Sequence, residues 1–148
     1  MNLKWLSNSK SLTFYTADNV GELPLPFVGK VSAGFPSPAE EYTELSLDLN
    51  KSLIKNPSST FYAKVKGQSM IDAGINDGDI LIIDKSLPPS NGKKAVCYID
   101  GEFTLKTLKK DKDKLYLMPA NPQFSPIEIK PENEFIIWGI VTYVIQKM

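Results

Sequence analysis

A mainly β, antiparallel domain behind an extended N-terminal arm is the fold class this sequence predicts, on three observations. Short runs rich in β-branched and aromatic residues recur from residue 61 to residue 145, separated by turn signals. Asp100-Gly101 sits between two such runs, a strong short-range hairpin signal. Residues 1–41 carry Pro24, Pro26, Pro36 and Pro38 with Gly21, Gly29 and Gly34, which disfavours long regular elements there.

Taken in order, residues 1–41 read as an arm able to lie across a globular body or to detach from it. Thr43 to Lys55 places Leu45, Leu49 and Leu53 near helical spacing, and a short amphipathic turn and an irregular connection are equally compatible with it. Strand signals begin after Asn56-Pro57. Phe61 to Val65 alternates, with aromatic or β-branched ends. Ile75-Asn76-Asp77-Gly78-Asp79 is a turn into Ile80-Leu81-Ile82-Ile83, an apolar run suited to a strand buried on both faces. Pro88 to Gly92 is a loop. Lys94 to Ile99 and Glu102 to Lys109 flank the Asp100-Gly101 hairpin. Lys110 to Lys114 alternates Lys with Asp, a solvated turn whose charges cancel locally. Leu115 to Met118 and Phe135 to Ile145 complete the strand set, and no internal repeat is visible.

Composition narrows the chemistry. At 148 residues, 42% hydrophobic and 10% aromatic, the chain can bury one core. Its 17 basic residues are all Lys and balance 17 acids, a poor endowment for tight binding to nucleic-acid phosphates. Cys97 is the single cysteine, so no internal disulfide forms. The absence of His removes Ser-His-Asp triads, Cys-His pairs and the usual zinc sites, so no metal or cofactor is expected. Any hydrolysis needs another base. Met1 to Val20 lacks the apolar core of a signal peptide, and no run approaches the ~20 apolar residues of a membrane span, so the expected location is the cytoplasm.

Ser69 lies in Gly67-Gln68-Ser69-Met70, just after a predicted strand. A strand-end turn can aim a hydroxyl and nearby backbone N–H groups at one point, as acyl transfer requires. By itself a serine after a glycine is more often a plain turn residue. Lys106 lies in Gly101 to Leu108, where alternation puts Thr104, Lys106 and Leu108 on one face and Phe103 and Leu105 on the other. Spacing alone favours a lysine whose stem covers apolar surface while its amine reaches water. The pair gains interest because no histidine is present. A lysine is a base only when neutral, its reference pKa is ~10.4, and burial lowers it. Lowering it by ~3 units would cost the fold about 4 kcal/mol near neutral pH.

Together these residues resemble a family. Gly67 to Ile75, followed by Asp77-Gly78-Asp79 and an apolar strand, is similar to the nucleophile segment of the LexA/UmuD family of self-cleaving Ser-Lys proteases. Asp100 to Lys106 resembles the segment with UmuD's catalytic lysine, and Gly34 to Ala39 the stretch after UmuD's cleavage site. Tyr42, Asp48-Leu49-Asn50, Asn56-Pro57-Ser58, Met118-Pro119-Ala120-Asn121 and Tyr143-Val144-Ile145 extend the likeness, which runs from about residue 27 to the C-terminus. Residues 1–26 take no part in it. Ala33, where UmuD has Cys, and Phe27 to Val31 are closer to LexA.

The resemblance implies strongly bent antiparallel sheets, Ser69 as nucleophile, Lys106 as general base, and backbone N–H groups of Ser69 and Met70 as oxyanion donors. It places the scissile bond at Ala33–Gly34, so that an arm of residues 1–33 is removed by self-cleavage from a β-rich protease-like domain, 34–148. It also implies an SOS-response mutagenesis factor. RecA filaments on single-stranded DNA would stimulate cleavage, and the trimmed homodimer would join a UmuC-like Y-family DNA polymerase for translesion synthesis.

Three other readings compete. A LexA- or phage-repressor-like regulator would need a DNA-binding domain before the cut, whereas 1–33 holds two prolines and three lysines. A signal-peptidase-like enzyme would need a membrane anchor. A non-catalytic polymerase adaptor would be indifferent to Ser69→Ala.

Overall fold

The computed structural model describes residues 3–8, 11–17, 24–28 and 43–148. Two compact units emerge, one formed by Met1–Asp18 with Asn56–Met148 and the other by Asn19–Lys55.

In the larger unit the described strands form a nine-stranded sheet in the order β1-β2-β5-β6-β11-β7-β8-β9-β10. They are β1 (Leu3–Asn8), β2 (Leu12–Ala17), β5 (Thr60–Val65), β6 (Ile80–Asp84), β7 (Lys94–Ile99), β8 (Glu102–Asp111), β9 (Lys114–Met118), β10 (Ile127–Ile129) and β11 (Phe135–Ile145). Every neighbouring pair is antiparallel. The mainly β expectation therefore holds, and most predicted strands fall within a residue or two of those observed.

Strand β11 lies between β6 and β7 and changes partner along its length. Its first half pairs with β7 and its second half with β6, with Ile140 opposite both Ala95 and Asp84. Register shifts at Ile137/Gly139 and Val141/Tyr143 mark the change of partner. Extra residues of this kind kink a strand and let it pass from one sheet half to the other. Gly139 is required at the kink, because a Cβ there would lie 2.5 Å from Ile83 Cγ2.

Two apolar clusters stabilise the sheet. The larger joins Leu12, Phe14, Ala63, Val65, Met70, Ile75, Leu81, Ile83, Val96 and Leu105, and the smaller joins Ala95, Cys97, Leu108, Leu117 and Ile140. Alternation along β8 sends Leu105 to the first and Leu108 to the second. Edge-on aromatic contacts continue the larger cluster, with Phe14 4.9 Å from both Phe103 and Trp138. At the end of β6, burial would raise the Asp84 pKa. Hydrogen bonds from Asn56, Ser86 and Ser59 outweigh it and hold the carboxyl below its usual value.

The arm reading fails for residues 3–8 and 11–17. The prolines and glycines on which it rests begin at residue 21, whereas Leu12-Thr13-Phe14-Tyr15-Thr16 is β-prone throughout and forms β2. The smaller unit also departs from expectation. Pro24–Val28 (β3) pairs with Thr43–Asp48 (β4) in a separate two-stranded sheet. Only Leu49–Leu53 is helical (α1), its start capped by Asp48, which accepts from the Asn50 N–H at 3.0 Å. Glu44 to Asp48 alternates polar with apolar residues while Leu45, Leu49 and Leu53 lie near helical spacing, and up to Asp48 the alternation prevails.

Candidate active site

The turn that carries Ser69 is built by hydrogen bonds. After β5, the Gly78 N–H donates to Val65 O at 2.8 Å and the Val65 N–H to Asp79 O at 2.9 Å, closing the base of a loop. Gly67 adopts φ +96°, a left-handed conformation that suits glycine, and its N–H donates to Asp77 Oδ1 at 2.8 Å. The Met70 side chain is sunk in the larger core cluster. The loop after β9 grips the turn from the other side. The Ala120 N–H donates to Ser69 O at 2.8 Å, the Asp72 N–H to Ala120 O at 2.7 Å, and Asn121 Nδ2 to Gln68 O at 2.8 Å. Gln146, just past β11, donates to Gly74 O and, at 2.7 Å, to Asp79 Oδ2. Among the described residues, the N–H groups of Ser69 and Met70 have no acceptor.

Lys106 is placed by strand register. On its face of the β7–β8 hairpin stand Ala95 directly opposite, Cys97 and Thr104 one rung away, and Leu108 on its own strand. Only 6% of Lys106 is exposed, so the snorkelling arrangement favoured by spacing is not what the fold adopts. Its Nζ lies 3.1 Å from Ser69 Oγ, 2.7 Å from Thr104 Oγ1 and 3.2 Å from Leu105 O.

Burial pushes the Lys106 pKa down, and a negative charge on Cys97 would oppose this. Cys97 is itself fully buried, and burial pushes its thiol up to about 12 despite the pull of Lys106. At neutral pH it is an uncharged thiol, so the opposing force is absent and desolvation prevails. A neutral amine has two N–H groups and one lone pair. A carbonyl only accepts, so one N–H goes to Leu105 O. The short contact to Thr104 Oγ1 takes the second, and the lone pair is left for the Ser69 hydroxyl. The arrangement can thus accept a proton from Ser69, the requirement for an activated serine.

Ser69, Met70 and Lys106 are brought together, while Ala33 and Gly34 lie outside the described residues. Thr104, Ala120 and Asn121 had no assigned role in the sequence. Thr104 was recoverable, since it sits two residues before Lys106 on the same face. The grip of Ala120 and Asn121 on Ser69 is long-range and leaves no local signature. Among the described residues there is no cluster of acidic or sulfur ligands able to hold a metal, and no helix is long and apolar enough to cross a membrane.

The chain is similar to known proteins over most of its length. Residues 26–142 match the Peptidase S24-like family. The chain is 41% identical over 128 residues to Protein MucA of Salmonella typhimurium, covering 86% of each protein. It is 38% identical over 127 residues to Protein ImpA of Salmonella typhimurium, covering 82% of each. A LexA repressor from Alcanivorax borkumensis is 43% identical over 126 residues, which are 85% of this chain and 61% of the repressor. The chain therefore belongs to the Peptidase S24-like family of self-cleaving serine peptidases, as one of the UmuD-like SOS mutagenesis members of its LexA/UmuD group.

Proposed function

We propose that this protein cuts its own Ala33–Gly34 bond with a Ser69–Lys106 dyad. The observation that carries the reading is the 3.1 Å contact between the Ser69 hydroxyl and a buried amine whose pKa is lowered. Ser69 Oγ attacks the Ala33 carbonyl carbon as its proton passes to Lys106 Nζ. The oxyanion is met by the N–H groups of Ser69 and Met70. Collapse breaks the C–N bond, and the Lys106 ammonium returns the proton to the Gly34 amine. Water, deprotonated by Lys106, then hydrolyses the Ser69 ester, giving a carboxylate at Ala33 and restoring the hydroxyl. Gly34 carries no side chain to obstruct the ~3 Å approach this needs.

Around this chemistry we place an SOS mutagenesis role in the cytoplasm. RecA filaments on single-stranded DNA trigger the cut, and the processed homodimer serves a UmuC-like Y-family polymerase in translesion synthesis. Likeness to MucA and ImpA over most of both chains supports the role, and no direct, tight DNA contact is part of it. The test is self-cleavage of purified protein at alkaline pH. Wild type is expected to yield fragments ending at Ala33 and beginning at Gly34, while Ser69→Ala and Lys106→Ala stay intact. Equal behaviour of all three would overturn the protease reading and leave a non-catalytic adaptor.

A further inference from the structure

The proposed cut lies downstream of β2, yet β2 is part of the body. It pairs with β5 from Leu12↔Val65 to Thr16↔Phe61. The Lys66 N–H donates to Ser11 O at 2.8 Å, and Ser11 Oγ donates to Phe103 O at 2.6 Å. Leu12 and Phe14 are 1% and 2% exposed and share a cluster with Ala63, Val65, Leu105 and Met70, the residue next to Ser69. The Phe14 ring lies edge-on to Phe103 and Trp138. All these contacts are non-covalent and each joins a residue before the proposed cut to one after it, so hydrolysis of the 33–34 bond breaks none of them. Loss of β2 would leave β5 as a bare sheet edge, a row of unpaired N–H and C=O groups beside an opened apolar socket.

We propose that the outer edge of β5, with the socket formed by Ala63, Val65, Phe103, Leu105 and Trp138, is a binding surface for strand β2 that outlasts self-cleavage. The product is then a nicked, two-chain protein that retains residues 1–33, in place of the free 34–148 fragment the family likeness implies. The mode is strand addition, in which main-chain bonds supply the ladder and alternate side chains fill pockets. Any partner that reads the β5 edge must first displace this peptide.

This inference rests on the proposed cut, so its test separates the two. Cleavage of wild type is followed on a denaturing gel, and the product is then passed through native size exclusion and weighed by mass spectrometry. One peak holding peptide 1–33 and fragment 34–148 in near-equal amounts is expected. A body peak holding 34–148 alone overturns the inference. Absence of self-cleavage would count against the protease reading only. The same nick is then made in Ser69→Ala by a site-specific protease whose recognition sequence replaces residues 31–36, and retention is read identically. Phe14→Asp is expected to lose the peptide once nicked, and retention there would show that the β5 surface is not the holder. If Phe14→Asp does not fold, Phe14→Ala is read by dialysis, with loss of the peptide at least tenfold faster than from the native sequence expected and an unchanged rate contradicting the claim.

Discussion

The two sides of the site are held by opposite physics. Ser69 sits on a half-buried turn pinned by polar contacts from Asp77, Ala120 and Asn121. Lys106 stands in the middle of β8, walled by Ala95, Cys97 and Leu108, and its character comes from water kept away. The proposed nucleophile therefore depends on orientation and the proposed base on desolvation. Damage to the first should lower the rate without moving its pH dependence, and damage to the second should move both.

The largest expected effect is at the base. Lys106→Ala should slow self-cleavage by about 10³-fold or more, measured as the half-life of intact chain. The same buried amine opposes folding, so Lys106→Met, which keeps the stem, is expected to raise the thermal midpoint near neutral pH. A lysine pKa lowered in the fold means the unfolded chain binds more protons between that value and ~10.4. Stability attributable to this group thus rises with pH across that window, and the gain from Lys106→Met should shrink as pH climbs through it. Cleavage should rise about tenfold per pH unit below the folded pKa and then level off.

The effect on the polar side should be smaller. Asn121→Ala removes the donor to Gln68 O and is expected to slow cleavage by several-fold to about tenfold, in line with roughly 1 kcal/mol for a lost hydrogen bond. Its pH midpoint should match wild type, and a shifted midpoint would blur the division between the two sides. Thr104→Val lies on the boundary. It removes an acceptor that favours the ammonium, so the midpoint should fall while the plateau drops a few-fold through looser aim. Smallest for the chemistry is Gly139→Ala, which should cost about 1–3 kcal/mol in chemical denaturation through its clash with Ile83 and leave the pH midpoint in place.

The same contrast explains what could be read from the sequence. Strands β5 to β9 and β11 announce themselves by β-prone runs and by turns such as Asp100-Gly101, where positive φ at both residues completes a tight hairpin. β10, only Ile127–Ile129, is too short for a periodic signal. Leu12 to Thr16 is β-prone by itself, but the proline-rich stretch that follows obscures it. Ser69 and Lys106 stand out in the sequence only through segment likeness. Spacing could not show that the amine is buried, because its walls come from β7 across the sheet and from a turn 37 residues away. The grip of the Ala120 loop was beyond local reading for the same reason.

The proposed mechanism requires the fold to strip the Lys106 amine of its proton at moderate pH. Carbon-13 labelling of lysine Cε in Ser69→Ala, which the proposed mechanism leaves uncut, gives that titration by NMR, with Lys106→Met assigning the resonance. The expected midpoint lies well below ~10.4, set apart from the other lysines. A Lys106 signal that titrates with the exposed lysines, or above them, would contradict it.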